Sequence, residues 1–254
     1  MGTVLSIVNQ RDGVGKTTTA VNLASCLALF EKKVLLVDCD PQGDASACMA
    51  IEDCDVQTEK TLYQALSGNV APDDLIRDAA LDYLRIIPAH IDLFQVEHQF
   101  SGTSGRERRL QDLLNRLRTA YDYILVDTPS SLGFLTNAAM IAADSLIIPV
   151  ECRDGAVQNL GYLLKTVTSI RRNANPGMKI AGIVFTKCDS DEEIYHHFPA
   201  PSFESIRDIV FSTTIGRSSR LQQAAPRQQG VVLDDIMADV SADYLDLAAG
   251  LVNV

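Results

Sequence analysis

The chain contains no tryptophan, and Phe and Tyr bring the aromatic share to only 6% of its 254 residues. No apolar run reaches the ~20 consecutive residues that a membrane-spanning helix requires. Basic residues are also scarce: 22 Lys and Arg stand against 33 Asp and Glu, for a net charge of -11 and a pI near 4.7. That balance excludes dominant, non-specific nucleic-acid binding, which needs a basic face to neutralise phosphate, and leaves a local basic patch open. Residues 241–254 carry two Asp and no Lys or Arg, which excludes a basic amphipathic membrane helix there.

The six cysteines, at 26, 39, 48, 54, 152 and 188, never fall in a C-x-x-C spacing. Nothing resembling a signal peptide precedes the first expected strand, so we expect reduced thiols in a cytoplasmic protein. The opening residues Met1 to Ser6 match a loose myristoylation pattern, but they also begin a buried apolar strand, which is the reading adopted. No Pro-, Gly- or Ser-rich linker, repeat or low-complexity tract divides the chain, and one domain over residues 1–254 is expected. At this length about 70–75% of the unfolded chain's surface can be buried, which excludes a small disulfide scaffold. With 46% hydrophobic and 22% charged residues, disorder is excluded too.

Short β-rich apolar runs alternate with segments of helical period, the signature of a parallel sheet with crossover helices. Strands are expected at residues 4–9, 33–38, 83–88, 123–127, 145–150 and 179–186. Helices are expected at 20–30, 107–119, 155–171 and 240–251. Leu110, Leu113, Leu114 and Leu117 recur at i, i+3, i+4 and i+7, as do Val157, Leu160, Leu164 and Val167, and both stripes read as packing faces. Residues 101–105 read as a short flexible loop. Residues 189–193, with His196 and His197, read as irregular; paired histidines on a loop with no third ligand at useful spacing read as solvated rather than metal-binding.

The first strand runs into Gln10-Arg11-Asp12-Gly13-Val14-Gly15-Lys16-Thr17-Thr18, followed at once by a helical stretch. A strand, a glycine-containing loop and a helix N-terminus in that order make an anion-binding cup, because backbone N–H groups and the positive helix end converge on phosphates. Lys16 would reach the outer phosphates, and Thr17 would ligate Mg2+ through its hydroxyl. The strict G-x-x-x-x-G-K-[ST] pattern fails at Gln10, yet Gly13 and Gly15-Lys16-Thr17 keep the parts the mechanism uses. Asp127, at the end of its apolar strand, sits where a Mg2+-side carboxylate is needed. Asp38 and Asp40 end the second strand on the same edge, where they could organise metal-bound or nucleophilic water.

These stretches resemble the ParA/MinD group of deviant Walker-type ATPases, and within it the ParA-like partition and positioning proteins. Residues 9–19, 36–43, 122–136 and 147–150 carry the likeness, with weaker matches at 86–89 and 215–221. The resemblance implies a three-layer, doubly wound, mostly parallel P-loop NTPase fold. By it, Arg11, Asp12, Gly13, Val14, Gly15, Lys16, Thr17 and Thr18 hold ATP, with Gly216, Arg217 and Ser218 beside the adenine. Asp40 is the switch carboxylate of hydrolysis, acting with Lys16 and Arg11, and Thr17, Asp40 and Asp127 serve Mg2+. Such proteins form an ATP-dependent sandwich dimer and hydrolyse slowly until a partner, ParB-like or another activator with a basic segment, accelerates them. DNA binding is left open and no membrane partner is expected.

The family's loop has Lys-Gly-Gly where this chain has Arg11-Asp12-Gly13. Arg11 keeps the charge of the lysine that reaches across the dimer, but its planar fork is no equivalent of an ammonium. Asp12 places a carboxylate near phosphates and the facing subunit; two like charges at ~4 Å and an effective dielectric of ~20 repel by about 4 kcal/mol. We therefore expect dimerisation or turnover to be damped, unless Arg11 pairs with Asp12. The alternative is a nucleotide-binding adaptor with little or no hydrolysis. Thr186-Lys187-Cys188-Asp189 also has the form of a guanine-reading [NT]-K-x-D motif, which keeps GTP open as the weaker choice. An iron-sulfur reductase would need cysteines in residues 128–133, which have none; an ATP-using ligase for a small carboxylic acid would share the fold.

Overall fold

A computed structural model describes residues 1–50, 60–100, 105–224 and 230–252 of the chain. Seven strands, β1 (Thr3–Ile7), β2 (Val34–Asp38), β3 (Arg77–Asp78), β4 (Leu84–Ile87), β5 (Tyr123–Asp127), β6 (Ser145–Glu151) and β7 (Lys179–Thr186), form one sheet. Their spatial order is β3-β4-β2-β5-β1-β6-β7, and every pairing is parallel except β3 against β4. The six strands expected from the sequence are present within a residue or two of their expected bounds. The two-residue antiparallel edge β3 was too short and too polar to be read.

Parallel strands covered by helices on both faces must be apolar throughout, and the period of two then decides only which layer each residue joins. Leu5 and Ile7 of β1, Val34 and Leu36 of β2, and Leu125 of β5 join one core layer; Val4, Leu35, Val37, Ile124 and Val126 join the opposite one. Helix Lys16–Leu29 lies in the first layer beneath helix Asp239–Val252 and is buried on nearly all sides, which is why it carries no charged residue after Lys16 and why Asn22 and Ser25 bond back to the Thr18 and Val21 carbonyls. Helices Arg109–Leu117, Phe134–Ala142 and Ala156–Asn173 cover the other face. The leucine stripe at 110, 113, 114 and 117 is buried there as a packing face.

Two expectations change, and one helix is not read from the sequence. The first long helix begins at Lys16, four residues before its apolar period, because the phosphate loop itself supplies the helix start. Phe134–Ala142 is helical although it is nearly all apolar and shows no readable face. His196 and His197 lie in the last turn of helix Asp191–His197, where Ser190 caps by accepting from the Glu193 amide; the preceding acidic run is therefore a helix start, favoured by the helix dipole, rather than a loop. His196 is exposed, as expected, whereas His197 is partly covered, its Nδ1 3.2 Å from Asp154 Oδ1. Residues 101–104 and Cys54 lie outside the described residues. The other five cysteines are unpaired thiols.

Candidate active site

In this strand order the chain leaves β1 toward β2 on one side and returns through β6 and β7 on the other, so the loop after β1 sits at a topological switch point. Asn9 anchors the loop start: its amide donates to Pro149 O at 2.7 Å and its carbonyl accepts from Arg11 N at 3.0 Å. Gly13 (φ 73°) and Gly15 (φ 90°) then take left-handed conformations that turn the chain into helix Lys16–Leu29. Gly15 offers no side chain to cap that helix, so its first N–H groups face the cavity in front of it. That cavity is about 600 Å3 and is walled by Gly13, Gly15, Lys16, Thr17, Thr18 and Asp40 on its phosphate-loop side. Lys16 is only 7% exposed, its ammonium donates to Arg11 O at 3.1 Å, and burial lowers its pKa despite the opposing pull of Asp127.

Three carboxylates end β2 and β5 under this loop. Asp38 and Asp127 are register partners across the two strands, and both are fully buried. Asp38 accepts from Ser46 N at 2.8 Å, Ser46 Oγ at 2.6 Å and Asp40 N at 3.1 Å. Burial nevertheless pushes it up to about 6. Asp127 lies beside Thr17, whose hydroxyl lowers its pKa, yet neither of its oxygens makes a hydrogen bond of ordinary geometry. Burial, and then the Asp38 charge, drives its pKa well above the ordinary carboxylate range. A buried carboxylate without donors is costly unless a cation neutralises it. An orphaned acid next to a threonine hydroxyl at a phosphate loop thus fits a Mg2+ site. Asp40 is half-buried, accepts from Gln42 N at 3.0 Å, and is raised chiefly by burial.

At the other end the cavity is walled by Ile215, Gly216, Arg217, Ser218, Leu221 and Tyr244. Asp243 holds the Gly216 amide at 3.1 Å. The Arg217 amide donates to Asp189 Oδ1 at 2.7 Å, and its guanidinium binds Asp189 and Glu193, which holds Glu193 down at about 2. Asp189, the acid that would read a guanine, is thus engaged by Arg217.

The structure does not bring every expected residue to this cavity. The Arg11 guanidinium turns away toward Asp154 O at 3.5 Å and lies 4.0 Å from where a Gly155 side chain would start, and no Arg11–Asp12 ion pair forms. Val14 is buried, and its carbonyl accepts from Thr186 Oγ1 at 2.9 Å. Asp12 is exposed at the mouth with Asp40 and Asp44. Asp44, Ser130, Thr186, Lys187 and Tyr244 also line the cavity outside the expected site set, although Thr186 and Lys187 belong to the motif weighed for guanine, and Ile215, Ser219 and Leu221 join them from the weaker match at 215–221.

An AAA-domain family model (AAA_31) matches residues 2–180. The sporulation initiation inhibitor protein Soj of Bacillus subtilis is 39% identical over 248 residues, spanning 98% of this chain and 97% of that protein. The chromosome partitioning protein ParA of Myxococcus xanthus is 37% identical over 253 residues, spanning 100% of this chain and 89% of that one. The chain belongs to the ParA/MinD family of ATPases. Among solved structures, cobyrinic acid a,c-diamide synthase of Mycobacterium smegmatis with bound ADP and magnesium superposes with a TM-score of 0.82 at 27% identity, over 99% of this chain and 94% of that one. Apo McdA from Cyanothece gives 0.86 at 24% identity, over 98% and 100%, a likeness of fold.

Of the arginines, Arg116, Arg171 and Arg172 are exposed, whereas others are held by neighbours. Arg106 and Arg109 lie over the Phe134 and Phe100 rings, Arg118 pairs with Asp144 at 2.9 Å, and Arg217 is held by Asp189 and Glu193. Among the described residues, no helix is long and apolar enough to cross a membrane.

Proposed function

We propose that this chain is an ATP-driven switch that partitions or positions a cargo, acting as one ATPase unit over residues 1–254. The observation that supports this most is the convergence of Lys16, Thr17 and Asp40 on one cavity at the C-terminal sheet edge, with the buried Asp127 beside Thr17. The phosphate-loop amides and Lys16 would bind the ATP phosphates; Thr17 and Asp127, the latter through water, would serve Mg2+, which supplies charge neutralisation at the phosphates. Asp40, displayed at the cavity mouth, would orient the attacking water. Ile215, Leu221 and Tyr244 form an apolar pocket suited to a base, and engagement of Asp189 by Arg217 favours adenine over guanine.

Cycling would follow ATP-dependent dimerisation over the cavity mouth. Beside that mouth lies a groove of about 460 Å3 that carries Asp12, Asp40 and Asp44 next to Phe94, which is 58% exposed. Acidic and apolar groups together suit an activator with a basic segment. Asp12 at this mouth would keep assembly and turnover weak. The second reading, an adaptor that binds nucleotide with little hydrolysis, is favoured by one observation: Arg11 is folded onto its own Asp154–Gly155 turn rather than held over the mouth.

Light scattering with Mg-ATP and with Mg-ADP, using Lys16→Ala as control, tests this. A mass doubling seen only with ATP and lost in the control is expected. A monomer under both conditions, with nucleotide bound, would transfer support to the adaptor reading.

A further inference from the structure

Two residues at the end of β7 grip the phosphate loop by its carbonyls, at the edge of the cavity that both also line. The buried Thr186 donates through Oγ1 to Val14 O at 2.9 Å, and its methyl group lies 3.8 Å from where a Gly15 Cβ would stand. Lys187 donates through Nζ to Gly13 O at 2.7 Å and pairs with Glu151 Oε1 at 3.3 Å. Glu151 and Thr186 are register partners on β6 and β7, so acid and brace rise from adjacent strands of the rigid sheet. Lys187 takes φ 54°, a left-handed conformation that a side-chain-bearing residue avoids unless its surroundings hold it there.

A carbonyl held by a fixed donor has its peptide plane fixed too, and with it the direction of the next N–H. Capture of the Gly13 and Val14 carbonyls fixes the amides of Val14 and Gly15. These peptides flank the two left-handed glycines, the most permissive part of the loop. Asp12 stands where the family has a glycine, and its carboxylate opposes phosphate at the mouth. A second ammonium at the loop offsets that charge as well as bracing the backbone.

We infer that Lys187, carried by Glu151 and seconded by Thr186, is a positioning residue of the phosphate loop. It pre-orders the amides that receive the β- and γ-phosphates rather than reading the base. The inference rests on the nucleotide reading above, and the position 187 ammonium is its specific content.

Binding of fluorescent ATP and ADP analogues, and of adenosine by calorimetry, should be compared in wild type, Lys187→Met, Lys187→Gly and Glu151→Gln, with melting of each nucleotide-free protein. Lys187→Met should weaken ATP and ADP by about tenfold, the scale of one lost charged hydrogen bond that is partly solvent-screened. Adenosine, which lacks phosphates, should bind as before. Lys187→Gly relaxes the left-handed backbone while removing the ammonium, so an equal loss there would assign the effect to the charge and keep the test open if the Met variant folds poorly. Glu151→Gln should show a smaller loss of the same kind. Unchanged ATP and ADP affinity in both Lys187 variants, or an equal loss for adenosine, would overturn the inference. A wild-type protein that binds none of the three ligands would instead defeat the nucleotide reading itself.

Discussion

Asp38 and Asp127 face each other in register across β2 and β5 with no solvent exposure, and only Asp38 is held by hydrogen bonds of ordinary geometry, Asp127 having just the Thr17 hydroxyl beside it. The difference divides their roles. Asp38 ties the start of the switch segment to helix Asp44–Cys48 through Ser46, whose hydroxyl also accepts from Ala89 N at 2.9 Å. Asp127 remains an unsatisfied acceptor that a cation would complete.

Asp127→Asn should therefore stabilise the nucleotide-free protein, because the amide carries no charge to bury beside Asp38. The same change should abolish the magnesium dependence of ATP binding. Melting curves without ligand, and ATP titrations with and without Mg2+, check both halves. A variant that melts lower and keeps its magnesium dependence would contradict the assignment.

The same pair sets a pH dependence. Asp38 titrates near 6 in the folded chain and Asp127 is raised well above its ordinary value. Above their unfolded pKa of about 4, the native state then holds more protons than the unfolded one, so stability falls as pH rises through that window. Bound Mg2+ would neutralise the ionised acids and reverse the loss. Nucleotide-free melting temperature should drop between about pH 5 and pH 7, and the increment from Mg-ADP should be larger at about pH 7.5 than at about pH 5.5. Asp127→Asn should flatten the slope, which separates this pair from the general repulsion of a chain with a net charge of -11.

Asp12 is exposed at the cavity mouth and has no ion-pair partner in Arg11. Asp12→Gly should tighten ATP-dependent association by at least tenfold, equivalent to about 1.4 kcal/mol, and raise ATP turnover. Sedimentation or light scattering across a concentration series, with phosphate release measured in parallel, gives the comparison. Unchanged assembly and turnover would show that the carboxylate is accommodated without cost.

The sequence by itself determined the strands, because a doubly covered parallel strand must be apolar along its length, and it determined the phosphate loop, because glycine, lysine and threonine act there within a few residues of one another. It also placed Asp38, Asp40 and Asp127 on one edge, since parallel strands end together. Only the tertiary structure decided which of the two buried acids is hydrogen-bonded, that Arg11 turns onto Asp154, and that Lys187 braces Gly13 from 174 positions away. Helix Phe134–Ala142 likewise became legible only in place, since an all-apolar segment carries no period and takes its form from the layer it fills. The physical reason is one of range: local period and turn chemistry act over a few residues, whereas side-chain direction at the site follows from strand order, which brings β7 against a loop that left β1.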